Sequence, residues 1–405
     1  MKESKYQTMI IISDSLPSQN GGGISLTLYN IFDYLIPSQV IYLHDGKEKI
    51  CENNLFSQNS ISVKLNWFPF LKNRLGRYIN PFVQFFNFSI REFCPPFPGK
   101  LPSKKESFIL VSTTDPVKLH YACLLKKKRG YTVIPYFMDD WLADYDQHWL
   151  GSNILETSNY LIKEARGIIL ISEYLAKAFD DRYRISASDT LIVHNPVSAS
   201  MIKCQSNPKA SIVKKIIYAG SIWPMHYDSI LLTAKAIRQC RDKYNADIMF
   251  EICCDPGFWN IYRIELEKEG VKYGGYKAYS ELHSYLNSGW LLLVASSFKD
   301  TYKKFTNSSI QTKITDYLVA NSAIISVGPA LGACNQFLLK GECGFVFQEN
   351  NVDSLCFFIL NEIKDEIYLT YVKNGHNLIL LQFSKQIVQK RVQAFFERMG
   401  LSISN

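Results

Sequence analysis

The sequence predicts an α/β protein made of two doubly wound, Rossmann-like domains. Three observations lead there. The apolar runs are short and continuous rather than alternating, as in parallel strands covered on both faces. Helix-period segments lie between them. The runs also fall into two series, parted by Asn195–Ser200 and the polar run Lys203–Ser211, which reads as an interdomain linker.

In chain order, the first series of strands is Thr8–Ser13, Val40–Leu43, Phe108–Ser112, Thr132–Phe137, Gly167–Ser172 and Leu191–His194. Helices are expected between them at Ile24–Leu35, Val117–Arg129 and Glu173–Asp181. The second series is Lys215–Ala219, Ile248–Cys253, Val271–Tyr273, Trp290–Ala295, Ala323–Val327 and Gly344–Phe347, with helices at Asp228–Arg241 and Glu281–Leu286. The expected domains are 1–200 and 201–383, with a cleft between them. A last helical stretch, Ser384–Met399, lies beyond the second sheet.

The chain has 405 residues, 47% of them hydrophobic and 14% aromatic, enough to bury a core and too apolar for disorder. No apolar run approaches the roughly 20 residues of a membrane-spanning helix. The first apolar run, Met9–Ile12, is shorter than the about 7–15 residues of a signal-peptide core, so a cytoplasmic protein is expected. None of the ten cysteines forms a Cys-x-x-Cys pair, and reduced, mostly buried thiols are expected rather than disulfides or a zinc site.

The net charge of +8 is concentrated. Between Lys64 and Lys105 stand eight Lys/Arg against one acid, Glu92, with ten aromatics. Two readings remain open: contact with an anionic membrane surface, or a core-packing helix with a solvated basic edge. No recognition motif accompanies the charge, so nucleic acid is not an expected partner.

The strongest functional signal is Thr312–Asn321, followed by the apolar Ser322–Val327 and Gly328-Pro329. Lys313 and Asp316, three residues apart on a short helix, place a cation and a carboxylate on one face near a strand end, where α/β proteins bind ligands. An exposed surface pair is the plain alternative. Gly21-Gly22-Gly23 follow the first strand and open the first helix, where bare amides can approach a ligand. The spacing is neither a dinucleotide fingerprint nor a P-loop. Asp139 and Asp140 end a strand and read either as cleft carboxylates or as a helix cap. Gly220-Ser221 follow the first strand of the second series, and Gly274-Gly275-Tyr276 another. His120 reads as structural. Asp144-Tyr145-Asp146 has metal-motif spacing but sits in a polar stretch, and no metal is expected.

These elements together resemble the GT-B glycosyltransferases, especially glycosyltransferase family 4. The resemblance is strongest from Lys215 to Phe347, with Leu170-Ile171-Ser172 and Val193–Pro196 as scaffold markers. It implies transfer of sugar from a nucleotide diphosphate donor to an acceptor hydroxyl, with retention and without metal or other cofactor. Asp139 and Asp140 would be the catalytic or acceptor-side carboxylates. Gly21–Gly23, Gly220, Ser221, Tyr276, Ser308, Ser309, Lys313 and Asp316 would bind the donor, with Asp316 on the ribose and Tyr276 beside the base. The terminal helix would cross back onto the first domain. The basic aromatic segment hints at a lipid-linked glycan acceptor at the inner membrane face, as in surface-polysaccharide assembly.

The sequence departs from the family pattern at three places. Ser221 stands where the family has Arg, His226 near its Lys, and Ser308, eight residues before Asp316, where it has the first Glu. Lys313 is the best substitute for the missing charge. The departures keep a rival reading open, an inactive glycosyltransferase-like binding subunit. A nucleotide-sugar epimerase would need a clearer acid/base set.

Overall fold

The computed structural model describes residues 6–46, 54–69, 71, 75–145, 151–185, 190–202 and 214–403. Two compact units emerge, residues 1–193 with 389–405, and residues 194–388. Each is a parallel sheet with helices on it.

In the first unit the order is β1 (Thr8–Ser13), α1 (Gly23–Phe32), β2 (Val40–His44), β3 (Ser60–Ser62), α2 (Gly76–Phe93), β4 (Ser107–Ser112), α3 (Pro116–Arg129), β5 (Val133–Phe137), α4 (Gly151–Glu164), β6 (Ile168–Leu170), α5 (Glu173–Tyr183) and β7 (Thr190–Ile192). The sheet runs β3-β2-β1-β4-β5-β6-β7, every pair parallel. Met9–Ile12 and Phe108–Val111 are fully buried, which is why these strands read as unbroken apolar runs. Strand order reverses between β1 and β4. There Asp14 accepts hydrogen bonds from the Thr113 and Thr114 hydroxyls and the Thr114 amide, tying the two strand ends together.

The second unit continues with β8 (Lys214–Ala219), α6 (Pro224–Tyr244), β9 (Ile248–Cys253), α7 (Pro256–Lys268), β10 (Lys272–Tyr273), α8 (Tyr279–Leu286), β11 (Leu291–Ala295), α9 (Lys303–Ser308), α10 (Lys313–Leu318), β12 (Ala323–Val327), α11 (Ala333–Lys340), β13 (Phe345–Phe347), α12 (Val352–Asn361) and α13 (Asp365–Leu378). Its sheet runs β10-β9-β8-β11-β12-β13, again all parallel. Ile216, Ile252, Leu293 and Ile325 of the sheet pack with Ile230 and Ile237 of α6 and Leu355 of α12. The reversal lies between β8 and β11, and it is here that α10 sits.

The chain reaches the second unit earlier than a boundary at 200 implies. His194 lies against the rings of Phe337 and Phe383, Asn195 donates to the Thr312 carbonyl, and Val197 bridges Ser384. The polar run 203–211, read as linker, lies outside the described residues. The last helix, α14 (Lys385–Arg398), passes into the first unit from Gln389 on. Phe396 meets Phe32 and Phe108 at centroid distances of 6.3 and 5.2 Å. A side chain on Gly167 would come within 2.6 Å of Phe395, so glycine is needed there for close approach.

Among the described residues no helix is long and apolar enough to cross a membrane. The described cysteines are free thiols, and all but Cys94 are buried. Of Asp144-Tyr145-Asp146, the first two end a short 3-10 turn, Trp141–Tyr145, and Asp146 lies outside the described residues.

Candidate functional site

The site grows from the end of β8. After Ala219 the backbone turns at Gly220 with φ +129°, a conformation that side chains resist. The phenol of Tyr317, in α10, accepts from the Ala219 amide at 2.8 Å and donates to the Ala219 carbonyl. That pair pins α10 across the strand end. Lys313 is one turn earlier on the same helix, so it is carried to the same place.

The Lys313 ammonium stands 3.6 Å from the centroid of the Tyr218 ring. It is buried and finds no hydrogen-bond acceptor among the described residues. A Cβ on Gly220 would lie 2.9 Å from it. Burial lowers its pKa from 10.5 to about 7. A ring face offers a cation partial compensation, far less than an anion would. Such a group marks a place where negative charge is missing.

Asp316, 6% exposed, lies one turn along. Its Oδ1 accepts from the Tyr279 hydroxyl at 3.1 Å, and His283 Nε2 stands 3.6 Å away. Burial raises this carboxyl from 3.8 to about 7, and the Tyr279 hydrogen bond opposes the rise. Burial lowers the His283 pKa, which favours its neutral form. Lys313 and Asp316 are therefore not an exposed helical pair. They are two buried groups of opposite sign, each charged at a cost.

Two predictions follow from this geometry. Gly220→Ala is expected to destabilise the second unit by about 1–3 kcal/mol, because Ala must strain at this φ, and to displace the Lys313 ammonium. Thermal unfolding checks it; an unchanged melting temperature contradicts it. Tyr279→Phe removes the hydrogen bond that lowers the Asp316 pKa, so the carboxyl should move further up. The folded protein holds this proton between 3.8 and about 7 when the unfolded chain has released it, so the group's contribution to stability falls as pH rises through that window. In the variant the falling limb should extend to higher pH. A stability–pH curve superimposable on that of the wild type removes Tyr279 from this role.

The other expected donor residues differ in what they have left to offer. Ser308 turns its hydroxyl back to the Lys304 and Phe305 carbonyls of its own helix, and Ser309 is buried beside it. Gln311 fastens the following loop to the Ala295 carbonyl at the end of β11. The Ser221 carbonyl accepts from the Tyr218 hydroxyl at 2.8 Å. His226 bonds that same hydroxyl, and burial together with the Lys313 charge lowers its pKa to about 3. It is neutral, so it does not replace the missing Lys. Tyr276 is exposed in the Gly274-Gly275 turn, where Gly275 takes φ +77°.

In the first unit, Gly21–Gly23 enter α1 without positive φ; Gly22, the N-cap, has φ −70°. Gly21 is sterically required, since a Cβ there would overlap the Ser25 side chain, whereas one on Gly22 meets open space. The catalytic expectation for Asp139 and Asp140 meets two structural roles. Asp139 caps the next turn by accepting from the Trp141 amide at 3.2 Å, and buried Asp140 pairs with Arg182 of α5. His120 is structural, stacked on Phe88 at 3.8 Å and bonded to Glu92.

Tyr218, Tyr279, His283 and Tyr317 were not singled out from sequence. Tyr279 and His283 sit four apart on a helix whose expected start, Glu281, fell two residues late. Tyr317 sits four after Lys313, and that spacing was the available signal.

No family model and no curated protein sequence matches the chain. Solved structures do. Sucrose-phosphate synthase from Thermosynechococcus elongatus superposes with a TM-score of 0.68 at 12% identity, over 97% of this chain and 99% of its own. HepE from Anabaena, in complex with UDP and glucose, gives 0.66 at 14% identity, over 97% and 100%. WaaG, a glycosyltransferase involved in lipopolysaccharide biosynthesis, gives 0.62 at 10% identity, over 96% and 99%. The chain has the GT-B fold. In GT-B terms the buried Lys313–Asp316 pair lies at the carboxyl end of the second sheet, at its topological switch point.

Proposed function

We propose that this GT-B protein is a glycosyltransferase that moves a sugar from a nucleotide diphosphate donor to an acceptor hydroxyl. The observation that carries this reading is the buried Lys313 ammonium, without a hydrogen-bond acceptor among the described residues, against Gly220 at the end of β8. A diphosphate brings the missing negative charge, and Lys313 stabilises it as it leaves. Asp316, oriented by Tyr279, accepts from ribose hydroxyls. The backbone around Gly220 and Ser221 and the Gly21–Gly23 amides complete the donor contacts, and exposed Tyr276 stands beside the base. Asp139 is the carboxylate assigned to the acceptor side; Asp140 serves through its pair with Arg182.

We take transfer to retain anomeric configuration and to proceed without a divalent metal, the lysine supplying the charge a metal would. The UDP-glucose complex of HepE supports a nucleotide-sugar donor, and the involvement of WaaG in lipopolysaccharide biosynthesis makes a lipid-linked glycan acceptor in surface-polysaccharide assembly the favoured one. A panel of nucleotide sugars in a thermal-shift assay tests the reading, since a ligand that binds only the native state raises stability by mass action. A donor that stabilises the protein and is turned over, equally well in EDTA, supports it; no response to any donor overturns it.

The second reading, an inactive binding subunit, draws on the Ser308 hydroxyl bonded within its own helix and on neutral His226. Donor binding without hydrolysis or transfer would favour it.

A further inference from the structure

Helix α2 is inside out. Its polar stripe, Asn80, Asn87 and Arg91, faces the protein, and its aromatic stripe faces solvent. Arg91 is 1% exposed and donates to the Leu65 carbonyl at 2.9 Å and to the Asn66 side chain at 3.0 Å. Tyr78, Phe82 and Phe93 are 72%, 58% and 84% exposed, and Leu75, Ile79, Phe85 and Phe86 join them. A soluble surface helix carries the opposite pattern.

The arrangement is held in place. Asn87 accepts from the amides of Trp67 and Phe68 and donates to the Phe68 carbonyl, each at 2.9 Å. Asn80 does the same two turns earlier, accepting from the Leu71 amide at 2.8 Å and donating to its carbonyl at 2.9 Å. The two asparagines clamp the preceding loop along the helix, and Trp67, Phe68 and Leu71 are left exposed beside the aromatic stripe. These hydrogen bonds, half-buried at Asn87 and exposed at Asn80, hold apolar side chains out in water.

Charge selects what covers this face. From Lys64 to Arg91 the sequence contains no Asp or Glu. The next acid, Glu92, is engaged by His120 and Lys128. Exposed Lys64 sits 5.3 Å from the Trp67 ring, an amphipathic pair suited to a water–lipid boundary.

We propose that this face of the first unit docks on an anionic lipid surface, with α2 lying in the plane of the interface and its aromatic side chains inserted among the acyl chains. Of the two readings open from sequence, a core-packing helix would bury these aromatics, and they are outside; Arg91 leaves the basic edge and is buried as a strut. The inference stands on the first unit alone, independent of whether the second turns over a nucleotide sugar.

Co-sedimentation of the full chain with vesicles tests it. Vesicles of phosphatidylglycerol with phosphatidylethanolamine should bind the protein, and phosphatidylcholine vesicles much less, with binding weakened by salt. The double variant Phe82→Gln, Phe86→Gln changes only exposed side chains and should keep the wild-type melting temperature while losing at least about tenfold in partitioning. Absence of binding to the anionic vesicles at low salt, equal binding to phosphatidylcholine, or undiminished binding of the variant overturns the proposal. So does light scattering that finds a wild-type dimer which the double substitution dissociates, with no vesicle binding by either: the face would then be covered by a second copy.

Discussion

Lys313→Met should raise the melting temperature of the ligand-free protein by several degrees and weaken its response to nucleotide sugars. The wild-type ammonium is buried against Tyr218 with no acceptor among the described residues, and burial lowers its pKa from 10.5 to about 7. Methionine fills a similar volume without charge, and replacing buried charge by packed apolar groups is often stabilising by about 1–4 kcal/mol. One kcal/mol corresponds to about 2–4 °C for a domain of this size. The sign can be followed with pH. Between about 7 and 10.5 the unfolded chain holds a proton that the folded one has lost, so wild-type stability from this group rises with pH across that window. The variant's advantage should be largest below pH 7 and close towards 10.5. Loss of a charge-assisted bond to the diphosphate, about 1.5–3 kcal/mol, should weaken donor binding about tenfold to a hundredfold. A less stable variant that still binds the donor normally would remove Lys313 from the site.

Gly22→Val should abolish transfer while leaving the fold, and donor binding by the second unit, intact. At φ −70° and with open space around its Cβ, position 22 accepts a β-branched residue without strain. Its effect on stability should stay within about 0.5 kcal/mol. The side chain would, however, cover the amides at the start of α1 that the donor is expected to approach. Gly21→Ala is the control, since its Cβ overlaps Ser25 and it should destabilise the first unit instead. Unimpaired transfer by Gly22→Val would make the loop a simple connection. Donor binding without turnover in the wild type would favour the inactive subunit.

The parallel strands were visible because each is buried on both faces, so its composition alone marks it: Ile10–Ile12 and Leu291–Val294 have nowhere polar to point. The glycine turn at 220 and the short helix carrying Lys313 and Asp316 were visible for the same local reason. Spacing along a strand–turn–helix is written in the chain. Asp139 and Asp140 show the limit. Adjacent carboxylates at a strand end look alike in sequence, yet one caps a turn and the other meets Arg182, 42 residues later.

By itself, then, the sequence determined the fold class, the order of the long buried strands and the residue types at the switch point of the second sheet, because these follow from periodicity and local turn chemistry. The tertiary structure decided which groups are paired and which are not. It brought Tyr218 under Lys313 and Tyr279 and His283 onto Asp316, and it turned Asn80, Asn87 and Arg91 of α2 inward so that its aromatics face out. Those outcomes depend on side chains distant in sequence competing for the same few buried hydrogen bonds, and no local pattern records who wins.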